Sequence, residues 1–515
     1  MQYQNLAYFA LFLPCVLFLY QRMPQKKRPY VLLLASWFFQ IMLSGALLIA
    51  NIAETLLAHH IGLWLGVQAS VNMPHEARKK KVHGILAVGI LVSVGMLIAF
   101  KYTDFFAETG VYLANQLFHA GLKYKKLRLI VPIGISYYTL QAVSYMTDVA
   151  RGTIHPEQNL SKLALYFSFF PQIEEGPITR YSEIGGQLSA GRPTSFQNVI
   201  YGYQRILWGL FKKVVIADRM AVTVAAIFNK YTDSGSISLL GAVLFTLQLY
   251  MDFSGTIDIA LGSAETFGFH LAENFRQPFF ARDASDFWRR WHITLGTWMR
   301  DYVFYPVCLS HWIKNKTKKV RAKFGKNAAK FTAPFYALLA VWLLNGFWHG
   351  PNWTYVLYGI YYFVLIFLEN VLDEPVGRLL QKLRINREGL GCRIFRRIKL
   401  LLIVVTGEMF FRASTFANGW RMLVSIFTRF DMQSFSSLSI NLGMDWLDYC
   451  VVLAGTIIVY IVDLKKEHGA DFRQSAARWN KPVRIGFWYA LILVIVVFGA
   501  YGAGYDSVAM MYAGF

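Results

Sequence analysis

FTAPFYALLAVWLLNGFWHGPNWTYVLYGIYYFVLIFL, residues 331–368, contains no Asp, Glu, Lys or Arg. One bilayer crossing needs roughly 20 apolar residues, so this stretch is long enough to cross, turn and cross again. At its centre sits His349, flanked by Asn345 and Trp348. An ionisable ring at membrane depth is costly and tends to line a cavity, so it marks a reaction or transport site; a satisfied structural histidine is the rival reading.

Working outward, five more segments are free of charge at spanning length: Met1–Gln21, Tyr30–Ala53, Leu129–Thr147, Ser234–Met251 and Ile485–Tyr505. With weaker runs near 84–100, 160–172, 195–211, 352–368, 400–413 and 446–462, they predict an all-α polytopic membrane protein with about 11–14 embedded helices, some short or re-entrant. No repeat or low-complexity linker divides the 515 residues. The economical reading is one membrane domain over 1–515, with N-terminal helices (1–125), a core (about 126–370) and C-terminal helices (395–515). Thr103–Phe118 and Asn418–Phe430 read as surface helices.

The formal net charge of +22 does not indicate nucleic-acid binding. The basic residues lie in connectors: 22–29, 78–81, 123–128, Lys314–Lys330 and Arg378–Lys399. The positive-inside rule places these on the cytoplasmic side, against anionic headgroups. The first helix then runs inward, which puts the N-terminus outside and makes Met1–Tyr20 a retained anchor, its charge at Arg22 lying on the wrong side for a cleaved signal. The expected location is the cell membrane, in multiple passes. Cys15, Cys308, Cys392 and Cys450 are scattered without paired or metal-ligand spacing, and no metal site is assigned.

The densest polar chemistry lies in ENFRQPFFARDASDFWRRWHITLGTWMRDYVFYPV (273–307). It reads as one helix, capped by Asp283 or Ser285 and stopped at Tyr305-Pro306. Phe287, Trp291, Leu295 and Trp298 would share its apolar face, with Trp288 and His292 beside it and His292 pointing away from the stripe. Asp286 and Arg290 are spaced as an i, i+4 ion pair, and Arg289 is free to reach headgroups. Such a helix, read without other evidence, is more often an interfacial anchor than a catalytic element. In YMDFSGTIDIALG (250–262), Asp252 and Asp258 read as functional carboxylates or as helix-end charges. SFFPQIEEGPITRY (168–181) breaks a helix at Pro171, Gly176 and Pro177, which leaves backbone groups to be satisfied and often marks a substrate path.

Together with PIGISYYTLQAVSYMTDVARG (132–152) and FFRASTFANGW (410–420), these blocks, in this order, resemble the membrane-bound O-acyltransferase family. The likeness is strongest to its bacterial branch of alginate O-acetylation and D-alanyl lipoteichoic acid transfer proteins. The resemblance implies a helical ring around a central funnel with short cytoplasmic-side helices. It also implies that His349 is the catalytic histidine and His292 the second functional one. Asn345, Trp348, Trp288, Arg289, Arg290, Asp286 and Asp252 are then expected to support or bind substrate. Glu174 and Glu175 depart from the small or apolar residues that the family pattern leads one to expect.

The chemistry expected is acyl transfer, most simply acetyl, from a cytoplasmic thioester to a hydroxyl. His349, held by Asn345 one turn earlier, takes the acceptor proton, and His292 orients the acceptor or donates to the oxyanion. No bound cofactor is expected. Acetyl-CoA or an acyl-carrier protein serves as co-substrate, its phosphates suited to the basic loops. The implied partners are an exported SGNH-type, esterase-like acetyltransferase or a carrier protein, the lipid bilayer and a polysaccharide acceptor. D-alanyl transfer to teichoic acid is the alternative, and a proton-coupled transporter the second.

Overall fold

Apolar helices dominate the computed structural model, which describes Tyr3, residues 5–433, Ser436 and residues 442–501. Among the described residues there is no strand, only an isolated bridge between Phe275 and Trp291. The chain is thus all-helical, as its apolar periodicity dictates. Among the described residues six helical stretches are long and apolar enough to cross a membrane: Gln25–Ser70, His75–Lys101, Gly235–Thr266, Trp353–Lys382, Trp446–Glu467 and Lys481–Phe498. A seventh is counted if the bent pair His311–Ala329 and Thr332–His349 makes one span. The expected eleven to fourteen embedded helices therefore resolve into six of spanning length and a larger set of short ones. Parts of the first and last expected spans, residues 1, 2, 4 and 502–505, lie outside the described residues.

The contacts divide the chain into two compact units, one of residues 3–206 with Ile257–Ala272, the other of Leu207–Thr256 with residues 273–501. In the first unit, helices α1 (Leu13–Arg22), α2 (Arg28–Ser44), α3 (Leu48–Ser70), α4 (His75–Lys101) and α5 (Thr103–Phe118) precede α6 (Ile135–Arg151), α7 (Leu160–Ser168) and α8 (Tyr181–Ala190). Three expectations change here. The segment Tyr30–Ala53 is interrupted at Gly45, whose φ of 59° and ψ of −131° suit a residue without a side chain. The basic run 78–81 is the first turns of α4 and not a loop. The first third of Leu129–Thr147, residues 129–134, is non-helical, and its helix α6 is buried along nearly its whole length. The surface helix expected at Thr103–Phe118 forms at those bounds with no buried residue.

The break after α7 satisfies its backbone from neighbouring side chains. Gln40 and Asn51 donate to the Ser168 and Phe167 carbonyls at 3.2 Å each. Phe170 N–H donates to Ser36 Oγ at 3.1 Å, and the Tyr3 hydroxyl donates to Phe170 O at 2.5 Å. Unpaired backbone groups at membrane depth are tolerated only under such cover. Glu174 and Glu175, in the same segment, are buried, and the Glu174 N–H reaches Tyr3 Oη at 3.3 Å.

Helices α9 (Phe196–Leu210), a π turn (Phe211–Ala217), α10 (Asp218–Lys230) and α11 (Gly235–Thr266) come next. Residues 254–266 form the second half of α11. Its Ser254, Thr256, Ser263 and Thr266 are tolerable there because all four are buried inside the protein. Asp258 pairs with Arg205 at 2.9 Å, within the first unit. The rest of the second unit runs α12 (Ala284–Trp288), α13 (Ile293–Met299), α14 (Tyr305–Leu309), α15 (His311–Ala329), α16 (Thr332–His349), α17 (Trp353–Lys382), α18 (Leu390–Arg412), α19 (Phe416–Thr428), α20 (Trp446–Glu467), α21 (Phe472–Ala477) and α22 (Lys481–Phe498). The expected amphipathic helix at 418–430 is α19, shifted two residues towards the N-terminus.

Candidate active site

The charge-free stretch folds as the antiparallel hairpin α16–α17. Gly350, at φ 153°, and Pro351 stop α16 one residue after the histidine, and Asn352 Oδ1 accepts from Thr354 N–H at 3.0 Å to start α17. The two helices touch backbone to backbone at Gly346 and Gly359: a Cβ on Gly359 would meet the Trp342 carbonyl oxygen at 2.2 Å. Small residues at a helix contact let backbones approach this closely in a membrane. His349 is thereby fixed at the last residue of α16, 2% exposed.

Its imidazole is enclosed by rings from three helices. Ring centroids lie 5.2 Å from Trp348, 5.1 Å from Phe411 on α18, 6.1 Å from Tyr358 and 6.3 Å from Tyr355 on α17. The surroundings are not hydrocarbon alone. Glu408, 1% exposed on α18, shares a 2.9 Å hydrogen bond with the Tyr358 hydroxyl. The expected hold of Asn345 on His349 is not made through its carbonyl, because the buried Asn345 Oδ1 accepts no hydrogen bond among the described residues.

The second histidine arrives by a route that one continuous helix could not give. The helix expected over 286–305 is broken: α12 ends at Trp288, and His292 takes φ 47° and ψ 51° as the residue before α13. The left-handed conformation is uncommon but several-fold enriched for histidine. The break is held by residues 274–276, which lie antiparallel to 290–293. Arg276 N–H donates to Arg290 O at 2.9 Å and Ile293 N–H to Asn274 O at 3.0 Å. His292 is therefore buried, not turned away from the apolar residues, and packs on Phe253 at 4.9 Å and on Trp348 at 5.4 Å. Nor does Tyr305-Pro306 end the helical run, since proline is accepted in the first turn of α14.

Asn274 fixes the imidazole's tautomer. Its Oδ1 accepts from Thr294 N–H at 3.0 Å and from Thr294 Oγ1 at 2.9 Å, and faces His292 Nδ1 at 3.3 Å. An oxygen cannot donate, so Nδ1 carries the hydrogen and Nε2 is left as an acceptor.

The structure thus brings His349, His292 and Trp348 together, with the indole in contact with both imidazoles. Trp288 packs beside α16 and α17, its ring 4.9 Å from both Trp342 and Tyr362 and 6.2 Å from Tyr358, its Nε1 without a hydrogen bond among the described residues. The remaining candidates serve elsewhere. Asp286 pairs with Arg290 at 3.4 Å, as its spacing predicts, and Arg290 continues to Glu467 at 2.8 Å. Asp283 caps α12 by accepting from Asp286 N–H at 2.7 Å. Arg289 is 65% exposed and 4.0 Å from Asp286. Asp252 is buried in an ion pair with Lys213 at 2.5 Å. Among the described residues no three His, Cys, Asp or Glu side chains gather as a metal site.

Sequence reasoning missed Glu408, Tyr358 and Asn274. Glu408 carried a signal, as the one charge inside LLIVVTGEMFF (401–411). Asn274 carried none, because its partners lie 18 and 20 residues away.

The family model described as the membrane-bound O-acyltransferase family matches residues 157–381, which include both histidines. A probable alginate O-acetylase of Azotobacter vinelandii is 30% identical over 459 residues, covering 88% of this chain and 84% of that protein. A peptidoglycan O-acetyltransferase of Helicobacter pylori is 32% identical over 302 residues, 53% of each chain. A teichoic acid D-alanyltransferase of Bacillus subtilis is 32% identical over 252 residues, 48% of this chain and 60% of its own.

Proposed function

This chain belongs to the membrane-bound O-acyltransferase family and is an O-acyltransferase, and we propose that it acylates, most simply acetylates, hydroxyls of an exported or cell-surface polysaccharide. The observation that carries the site assignment is the contact of Trp348 with both His292 and His349, at 5.4 and 5.2 Å. Two imidazoles around one indole at the end of an apolar hairpin supply what the transfer of an acyl group to an alcohol needs.

In this reading a neighbouring hydroxyl of the acceptor donates to His292 Nε2, which orients the acceptor so that the reacting hydroxyl points its hydrogen at His349. The reacting oxygen attacks the thioester carbonyl as His349 takes the proton; the carbon–oxygen bond forms, the carbon–sulfur bond breaks, and the proton passes to the departing thiolate. Trp288 Nε1 is a donor suited to the carbonyl oxygen as its negative charge grows. Closure of the aromatic rings around His349 keeps water, a rival acceptor, from the thioester.

The direction of transfer follows from the distribution of charge. The basic residues of α15 and of Arg378–Lys399 lie at the ends of the hairpin remote from His349, so the positive-inside rule puts those ends in the cytoplasm, and the same rule applied to the basic run 22–29 puts the N-terminus outside. A phosphate-bearing thioester such as acetyl-CoA or an acyl-carrier protein would approach from the basic side. The acceptor, either the polysaccharide or an exported esterase-like partner that passes the group on, would approach from the other.

The test is His349→Ala in cells lacking the native copy. O-acylation of the envelope polymer should be lost while the protein remains folded and in the membrane; retained acylation defeats the assignment. The similarity to a D-alanyltransferase makes D-alanine the second candidate group, and the identity of the labelled group recovered from the polymer decides between them.

A further inference from the structure

The proposed reaction makes no use of the charged cluster beside α11. The Lys213 side chain, 0% exposed, lies 2.5 Å from Asp252 Oδ1 and 2.6 Å from Asp218 Oδ1. The preceding Lys212 donates to Ser254 Oγ at 2.9 Å. Two consecutive lysines of the π turn Phe211–Ala217 therefore grip α11 at 252 and 254, on either side of Phe253. That phenyl ring is 4.9 Å from the His292 imidazole and 5.0 Å from Phe275. Next along α11, a Cβ on Gly255 would meet Gly209 O at 2.8 Å and Lys213 N at 3.1 Å, so the two backbones touch at this level. From its other side the π turn is held by Ala500 N–H, which donates to Val214 O at 2.9 Å.

We propose that Lys213 is a positioning residue for acyl transfer: by holding Asp252 it fixes Phe253 in the register that keeps the His292 imidazole against Trp348. The inference rests on the reading that His292 serves the reaction. A buried ion pair is seldom more stabilising than apolar side chains of the same size, and its best-attested use is to select one register over another. Sliding or turning α11 by one residue would replace Phe253 with Asp252 or Ser254 beside His292. The ion pair and the Lys212 contact both oppose that slip. Single π turns inside helices also recur at functional sites.

The test uses the full-length protein in lipid nanodiscs and compares Lys213→Met with Lys213→Arg. The first readout is the rate at which diethyl pyrocarbonate modifies His292 and His349, followed by mass spectrometry. Lys213→Met should speed modification of His292 and leave His349 unchanged, and Lys213→Arg should restore protection. The second readout is transfer from a labelled acyl donor, in which Lys213→Met should lower kcat on the order of a hundredfold, the effect of a displacement of about 1 Å, with little change in donor KM. Unchanged protection of His292, or equal loss at both histidines, overturns the proposal. Lost protection with unimpaired transfer instead sinks the reading of His292 as a reaction residue, and with it the catalytic meaning of Lys213. If Lys213→Met does not fold, Phe253→Leu carries the same test with the ion pairs intact: it should unprotect His292 alone, and an unaltered His292 overturns the proposal.

Discussion

The Glu408 carboxylate and the Tyr358 hydroxyl are joined by a buried 2.9 Å hydrogen bond directly behind the ring that faces His349. Among the described residues Glu408 Oε2 meets no hydrogen-bonding group. A carboxyl kept in such a place for stability alone would be a poor choice, since a buried polar group with an incomplete set of partners is costly. Its effect is to hold Tyr358 in one orientation, edge-on to the His349 imidazole at 88°.

Glu408→Gln is expected to retain transfer, because an amide keeps a partner for the Tyr358 hydroxyl. Glu408→Leu removes the carboxyl that accepts the buried Tyr358 hydroxyl's hydrogen bond, at a cost of about 1–3 kcal/mol. Transfer should fall by about tenfold or more as Tyr358 loosens, with a lower melting temperature in detergent. Equal activity in the two variants would show that Tyr358 needs no such anchor.

The hairpin makes a prediction about packing. Gly359→Ala would set a methyl group 2.2 Å from the Trp342 carbonyl oxygen, which is backbone and cannot swing aside. Overpacking of this kind costs about 1–3 kcal/mol, so the variant should melt lower and lose transfer as α16 carries His349 out of place. Gly84→Ala in α4, where nothing lies within 4 Å of the added carbon, should instead be neutral or stabilising by up to about 1 kcal/mol. Melting curves of the two purified variants check both signs.

A pH dependence follows from Asp286. Burial favours its neutral form, but the Arg282 N–H at 3.1 Å and the Arg290 guanidinium at 3.4 Å outweigh it and hold the carboxyl below its ordinary value. A group whose folded value is depressed contributes stability that is complete above the unfolded value, about 4, and is lost as pH falls through the folded one. Hydrogen exchange at residues 284–288, corrected for intrinsic rates, should therefore quicken as pH drops below about 4. Asp286→Asn should weaken protection already at neutral pH and abolish the acid-dependent step.

The hairpin was legible because its information is local: an uncharged run of two crossings, punctuated once by Gly-Pro-Asn, admits few folds. His349 was legible for the same reason, as a polar group where none is affordable. Asp286 and Arg290 announced their pairing by spacing, and Asp283 its cap by residue type. The setting of His292 was not legible, because helical periodicity across 286–305 is what a continuous helix would show. The break comes from pairing with residues 274–276 and from a left-handed histidine, neither of which leaves a periodic trace. The pairing of Asp252 was not legible for a related reason. Its partner Lys213 lies 39 positions earlier, in a segment whose lysines look like ordinary surface charge.

Asn274 offers the sharpest test of the His292 assignment, because it determines which imidazole nitrogen faces the reaction. With Oδ1 accepting from Thr294 and from His292 Nδ1, the ring presents a lone pair at Nε2. Asn274→Leu removes that anchor and leaves the Thr294 N–H and hydroxyl buried without their acceptor, so both the start of α13 and transfer should suffer. Asn274→Asp keeps an acceptor oxygen in place but adds a negative charge beside the ring, which favours the imidazolium and raises its pKa. If neutral His292 is needed to receive the acceptor hydroxyl, the acid limb of the pH–rate profile must move to higher pH in Asn274→Asp, with activity recovered on the alkaline side. A profile that drops without shifting would mean that His292 has no protonation step to offer, and that its place beside Trp348 is structural.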